Sequence, residues 1–418
     1  MSGNEREFTP HPVARAAVPE RGLLRLLGPA FVAAIAYVDP GNVAANLTAG
    51  AQYGYLLVWV LVAANAMAVI VQYLSAKLGL VTGRSLAELI GDRLPRTGRL
   101  LFWVQAELVA MATDLAEVIG GALALAILFD LPLLLGGCIV GAVSLALLAL
   151  QHRGQLQFER VILGLLAVIT IGFVAGLFVS DLDWAGVAGG LVPRFEGTAT
   201  VLLAASMLGA TVMPHAVYLH SSLARDRHGI NLGQGKLAHL LKVTKWDVLL
   251  ALVLAGGVNI AMLLLAASSL AGVEGTDTID GAAAAISANL GPAIGVIFGV
   301  GLLASGLASA SVGAYAGADI MGGLLRVGIP LWLRRLLTLL PALVVLGIGI
   351  DPTWALVLSQ VALSFGIPFA IIPLIWLSSR RTVMGSHANR LPLIVAAAAT
   401  ALLIVALNIM LLVLTFVG

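Results

Sequence analysis

Eleven apolar runs, each near the roughly 20 residues that a helix needs to cross a bilayer, follow one another along this chain. They occupy 22 to 50, 55 to 80, 101 to 129, 131 to 150, 161 to 180, 199 to 224, 246 to 272, 284 to 320, 330 to 350, 354 to 378 and 391 to 417. Hydrocarbon offers no hydrogen bonds to a bare backbone, so runs of this length must be helices. The charged fraction, 11%, is under half of the roughly 25% usual in soluble domains. The expected fold is an all-α membrane protein of about eleven transmembrane helices. Residues 1 to 20 read as a polar cytoplasmic tail and 21 to 418 as one transmembrane domain. The longest hydrophilic stretches, 81 to 100 and 225 to 245, are too short to bury a core of their own.

Lys and Arg collect on the cytoplasmic side of such proteins, and here they alternate. Arg6, Arg15, Arg21 and Arg25 precede the first span. Lys77, Arg84, Arg93, Arg96 and Arg99 surround the second connection, Arg153 and Arg160 the fourth, and Arg225, Arg227, Lys236, Lys242 and Lys245 the sixth. Arg326, Arg334 and Arg335 mark the eighth, and Arg380, Arg381 and Arg390 the tenth. The odd-numbered connections carry Arg194 with Asp130, Asp181, Asp183, Glu274, Asp277, Asp280 and Asp351. The N-terminus is expected in the cytoplasm and the C-terminus outside, in a cell (inner or plasma) membrane. The net charge of +2 reflects this topology and implies neither a nucleic-acid partner nor an obligate protein partner. Cys138 is the only cysteine, which excludes an intrachain disulfide and reads as a small buried apolar side chain. The first run continues through Asp39 with no small-residue cleavage site after a short core, so it reads as a retained helix and not a signal peptide.

Two of the runs are interrupted near their middle. The first reads Asp39, Pro40, Gly41, Asn42, and the sixth reads Met213, Pro214, His215. An interrupted membrane helix is kept only where its freed backbone lines a cavity. An odd number of crossings separates the two breaks, so the two spans run in opposite directions. This predicts inverted five-helix repeats, 22 to 181 and 195 to 378, with discontinuous helices 1 and 6 and an additional helix at 391 to 417.

Proline lacks an N–H, so the carbonyls of Ala36 and Ala210, four residues before each proline, lose their helical partner. Both lie at the negative end of a half-helix, where a cation is the natural ligand. The sequence adds a carboxylate from Asp39, an amide oxygen from Asn42 and a thioether from Met213. Oxygens alone suit magnesium or calcium, and one sulfur tilts the set toward manganese, iron, cobalt or cadmium. The plainer readings are a structural Asp39, a packing Met213 and a hydrogen-bonded His215. Together, the side chains at the breaks point to a divalent transition metal.

On the third run, Glu107, Asp114 and Glu117 share one helical stripe. With Arg334 and Arg335 as partners they form either a proton relay or a structural ion-pair cluster. His220 is either a second protonatable group or a surface residue near the cytoplasm. Gln360, Gln72, Asn65 and Asn259 are isolated polar residues for which interhelical hydrogen bonds suffice. Residues 281 to 323 are rich in Gly, Ala and Ser, with Gly313 and Gly317 spaced for close backbone approach.

Asp39-Pro40-Gly41-Asn42 together with Met213-Pro214-His215 resembles the paired motif of the Nramp family of divalent metal transporters. Ser359-Gln360-Val361, Leu363-Ser364 and Pro368-Phe369-Ala370 resemble that family's tenth helix. Ala216 departs from the Asn the family often has, and Gly306 to Ser311, before Tyr315-Ala316-Gly317, matches only loosely. The resemblance implies a LeuT-type fold and import of manganese or ferrous iron with protons, with no resident cofactor. It implies Asp39, Asn42, Met213 and the carbonyls of Ala36 and Ala210 as metal ligands, with Gln360 joining in some conformations. It further implies His215, Asp114, Glu117, Glu107, Arg334 and Arg335 as the proton-linked network.

The alternative is a sodium- or proton-linked symporter of amino acids or other small organic solutes on the same fold. An Asp at the first break would repel the carboxylate such sites hold. An intramembrane metalloenzyme would need an H-E-x-x-H or similar cluster, and the sequence has none.

Overall fold

The computed structural model describes residues 28 to 151, 154 to 276, 278 to 326 and 330 to 417. The expected tail at 1 to 20, the start of the first span at 22 to 27, Arg153 and Asp277 lie outside these residues. Within them the chain is helical; eight helices are long and apolar enough to cross a membrane, and the broken first helix with the shorter helices Leu133–Gln151 and Leu331–Gly347 fills the places of the remaining three expected runs. The first span is Pro29–Ala34, a 3-10 turn Ile35–Val38, and Pro40–Tyr53. Val58–Thr82, Arg96–Phe129, Leu133–Gln151 and Gln155–Val174 are the second to fifth. The sixth is Thr198–Thr211 followed by Pro214–His228, and Gln234–Ser269, Pro292–Leu325, Leu331–Gly347, Pro352–Ser379 and Leu391–Val417 complete the set.

Both expected interruptions are present. Asp39 is extended, with φ −71° and ψ 166°, and its carboxylate caps the helix that Pro40 begins by accepting the Asn42 N–H at 2.9 Å. Proline at the first helical position costs nothing because that N–H is unpaired in any helix. Met213 is likewise extended ahead of Pro214, but a thioether cannot cap. The third and seventh spans begin earlier than hydropathy indicates, at Arg96 and Gln234 instead of near 101 and 246. Their polar first turns are largely exposed, and a hydrophobicity window does not register a helix that continues beyond its apolar run.

The sixth span is central and the eleventh peripheral: 78% of the sixth's most apolar stretch is buried against 22% of the eleventh's. The third and eighth spans cross closely where glycine permits it. A Cβ on Gly306 would lie 2.9 Å from the Glu117 carbonyl oxygen and 2.9 Å from the Gly121 nitrogen. Gly313 and Gly317 serve a different end from the backbone approach expected of them. A Cβ at Gly313 would sit 3.2 Å from both Glu117 carboxylate oxygens, and one at Gly317 would collide with the Arg334 guanidinium. These two glycines make room for charge.

Even-numbered connections meet on one face. Arg225 donates to Glu88 at 2.7 Å, Arg326 to Asp92 at 2.8 Å, and Arg84 pairs with Asp92. These bonds join the second, sixth and eighth connections, as the alternation of basic residues requires. Its hydrogen bond to Arg84 holds the Asp92 carboxyl below the usual carboxylate range. On the same face Asp247 accepts the N–H groups of Gly28 and Ala30, each at 3.0 Å, and ties the first half-helix to the seventh span. Cys138 is exposed on the fourth span and not buried as expected; a thiol is apolar enough to face lipid.

Candidate metal site

The two breaks meet. Asn42, in the first turn after Pro40, donates through Nδ2 to Asp39 Oδ1 at 2.6 Å and to the Ala210 carbonyl at 2.9 Å. One amide thus bridges the first and sixth spans through two of the oxygens that the sequence nominates as ligands. The Ala210 carbonyl that Pro214 was expected to leave orphaned is therefore satisfied by this amide. Asp39, Asn42, Ala210 and Met213 are fully buried and Ala36 is 1% exposed. Asp39 Oδ2 and Asn42 Oδ1 are buried with no hydrogen-bond partner. Both atoms are acceptors, and burial without a donor costs about 1–3 kcal/mol each, more for a charged oxygen. Such a pair suits a cation.

Gln360 approaches from the tenth span through space left by Gly41. A Cβ at Gly41 would fall on the Gln360 amide and lie 3.2 Å from Asp39 Oδ2. A cavity of about 330 Å³ leads to this point. Gly41, Thr48, Gln52 and Tyr53 of the first span line it, with Leu203 and Ser206 of the sixth, Thr276 and Thr278 of the seventh connection, and Thr353 and Gln360 of the tenth. Among the described residues its lining carries hydroxyls and amides and no formal charge, and the Asp39 carboxylate lies beyond Gly41 at its inner end. On the opposite side of the breaks Tyr37, His215, Tyr218 and His220 are all buried. The site is reached from the face bearing the seventh connection and shut from the face of the ion pairs.

The third span carries the acidic stripe, and its arginine partners divide it. Arg334 donates to Glu107 at 3.0 and 3.2 Å and to the Ala314 carbonyl at 3.2 Å. Arg335, fully buried, pairs with Asp114 and reaches Ser144 of the fourth span at 3.0 Å. Glu117, also fully buried, has neither carboxylate oxygen bonded. His215 has both ring nitrogens buried without partners and lines a small pocket with Gln105 and Tyr218.

His220 stands apart from this stripe. Its Nδ1 lies 2.7 Å from Gln72 Oε1, Gln72 Nε2 donates to the Tyr37 hydroxyl at 2.8 Å, and the ring is fully buried, so it is not a surface residue. Asn259 donates to the Tyr37 carbonyl at 2.7 Å and accepts from Asn46 at 3.0 Å. Asn65 packs where Gly256 lacks a side chain. In the sequence Gln72 and Asn259 are only isolated polar residues. Their spacing in separate spans gave no sign that they converge on the first break.

Among the described residues no group of three or more His, Cys, Asp or Glu is placed to hold a metal ion. A cation here relies on one carboxylate together with amide, peptide and thioether atoms. A family model described as natural resistance-associated macrophage protein-like, Nramp, matches residues 30 to 414. The divalent metal cation transporter MntH of Mycobacterium tuberculosis is 61% identical over 394 residues, covering 94% of this chain and 92% of its own length. The crystal structure of a manganese transporter of Eremococcus coleocola superposes with a TM-score of 0.87 at 31% identity, over 94% of this chain and 88% of that one. Mhp1, a nucleobase-cation symporter, matches at 0.59 with 17% identity over 93% and 91%, which shows that the fold alone is shared with carriers of organic solutes. The chain is a multi-pass membrane protein of LeuT-type fold and belongs to the Nramp family, a family of transporters and not of enzymes.

Proposed function

We propose that this protein imports divalent transition metals, manganese and ferrous iron foremost with cadmium and cobalt as further cargo, coupled to protons by alternating access. The observation that carries the reading is the Asn42 amide bridging Asp39 and Ala210, beside two buried acceptor oxygens, at the inner end of a cavity. Binding a cation there requires the Asn42 amide to turn so that Oδ1 replaces Nδ2 against the ion. Asp39, Asn42, Met213 and the carbonyls of Ala36 and Ala210 are then the ligands, with Gln360 beside them. Anomalous diffraction from manganese-soaked crystals tests this: a peak between the two breaks is expected, and a peak elsewhere rejects the assignment.

The charge alternation supports a plasma or inner membrane location with the ion-paired face in the cytoplasm. The cavity then faces outward. A negative-inside potential favours inward movement of a divalent ion by about 4.6 kcal/mol per 100 mV. Alternating access follows when the first and sixth half-helices, joined through Asn42 and Ala210, rearrange so that the Asp247 contacts to Gly28 and Ala30 open. Residues 22 to 181 and 195 to 378 serve as the two repeats of that motion.

Met213 supplies the only soft donor. Calcium prefers six to eight oxygens and gains nothing from a thioether. Met213→Ala is expected to retain part of the manganese transport while admitting calcium. Uptake assays in reconstituted vesicles that find unchanged discrimination between the two ions count against the sulfur as a filter.

Glu117 and His215 lie between the metal site and the paired acids and carry no compensating hydrogen bonds. In the proposed mechanism they hold and pass the coupled proton, toward Asp114 with Arg335 and on to Glu107 with Arg334. Glu117→Gln or His215→Ala is expected to lower proton flux more than metal entry. Equal loss of both fluxes in a vesicle assay with a pH-sensitive dye would leave these residues a structural role.

A further inference from the structure

The break in the first span frees more than one peptide oxygen. In an unbroken helix the carbonyls of Ala36, Tyr37 and Val38 would accept the N–H groups of residues 40, 41 and 42. Pro40 has no N–H, and the N–H groups of Gly41 and Asn42 turn instead to the Asp39 carboxylate, that of Asn42 at 2.9 Å. Three neighbouring carbonyls therefore need other partners.

Two of the three are taken up by side chains from outside the span. Asn259, on the seventh span and 2% exposed, donates Nδ2 to the Tyr37 carbonyl at 2.7 Å. Ser305, on the eighth span and fully buried, donates its hydroxyl to the Val38 carbonyl. Ala36 supplies the remaining oxygen, which neither cap takes. Asn259 also accepts from Asn46 at 3.0 Å, so a single side chain holds the chain on both sides of the break.

Resting on the metal-site reading above, we propose that Asn259 and Ser305 are positioning residues that set which peptide oxygens of the break can reach the cation. They thereby help to set the discrimination between transition metals and calcium. Without the caps, the Tyr37 and Val38 oxygens become free hard donors beside Asp39. Added oxygens favour calcium, which takes the higher coordination number and tolerates irregular geometry. The sulfur and the caps then act in the same direction, one by rewarding a soft ion and the other by withholding oxygens from a hard one.

The test compares Ser305→Ala and Asn259→Ala with the unsubstituted protein in vesicles, reading manganese uptake against increasing calcium. The calcium concentration giving half-inhibition is expected to fall about fivefold, the scale of freeing one carbonyl from a single hydrogen bond. The melting temperature of the metal-free protein in detergent separates this from loss of fold. Ser305→Ala removes one oxygen atom, so it decides the matter if Asn259→Ala does not fold. Unchanged competition by calcium in the folded variants, whether or not manganese uptake falls, overturns the proposal. Asp39→Asn run alongside distinguishes the underlying reading: if that variant still binds manganese, the metal-site assignment has failed, and not merely the role of its caps.

Discussion

Asp39→Asn will fold normally and lose manganese binding. The side chain is fully buried, and its Oδ1 accepts both the backbone N–H of Asn42 at 2.9 Å and the Asn42 amide at 2.6 Å. Asparagine caps a helix about as well as aspartate and matches its shape, so the helix that starts at Pro40 keeps its first turn. The negative charge does not survive the change. Among the described residues Asp39 is the one carboxylate carried by the two breaks themselves; Glu117 is near enough to feel its charge but sits on the third span, and Asp114 is paired with Arg335. Losing an outer-shell partner alone lowers metal affinity about 10–100-fold, so removing the one anionic ligand is expected to cost at least about 100-fold. Calorimetry on purified protein should show that loss together with an unchanged melting temperature in metal-free detergent. Undiminished manganese binding would remove Asp39 from the ligand set.

Much of this site could be read from the sequence because its signals are local. Pro40 and Pro214 each interrupt an apolar run, and a missing N–H acts on a carbonyl at a fixed distance back along the chain. The number of spans is equally local, since bilayer thickness sets the length of each run. What the sequence does not show depends on contacts between spans. Nothing in the run around Asn259 shows that its amide meets Tyr37, 222 positions away, and nothing marks Ser305 among its small neighbours as the partner of Val38. Gly313 and Gly317 have the spacing of a backbone-packing motif, yet the groups they admit are the Glu117 carboxylate and the Arg334 guanidinium. Small residues say that something approaches closely, without saying what. His220 could be placed on a surface only while its neighbours were unknown, and Gln72 with Tyr37 now accounts for its burial.

Arg335→Met will produce the largest loss of stability of any change in the acidic stripe. Arg335 is among the largest fully buried side chains in the protein, and it joins three spans through Asp114 on the third and Ser144 on the fourth. Removing the cation leaves Asp114, 2% exposed, as an unpaired buried charge, a loss of about 3–5 kcal/mol. Arg334 cannot replace it, because its guanidinium is already held by Glu107 and the Ala314 carbonyl. Replacing both partners removes that penalty, since a buried ion pair exchanged for neutral groups of similar volume is often neutral in stability. Asp114→Asn combined with Arg335→Met should therefore recover most of the melting temperature lost in the single variant. The two roles open to this pair then separate. A purely architectural pair predicts that metal-linked proton flux returns with stability in the double variant. A relay that needs a titratable carboxylate next to Glu117 predicts a stable protein that still moves manganese but carries few protons with it, and this second outcome is the one expected.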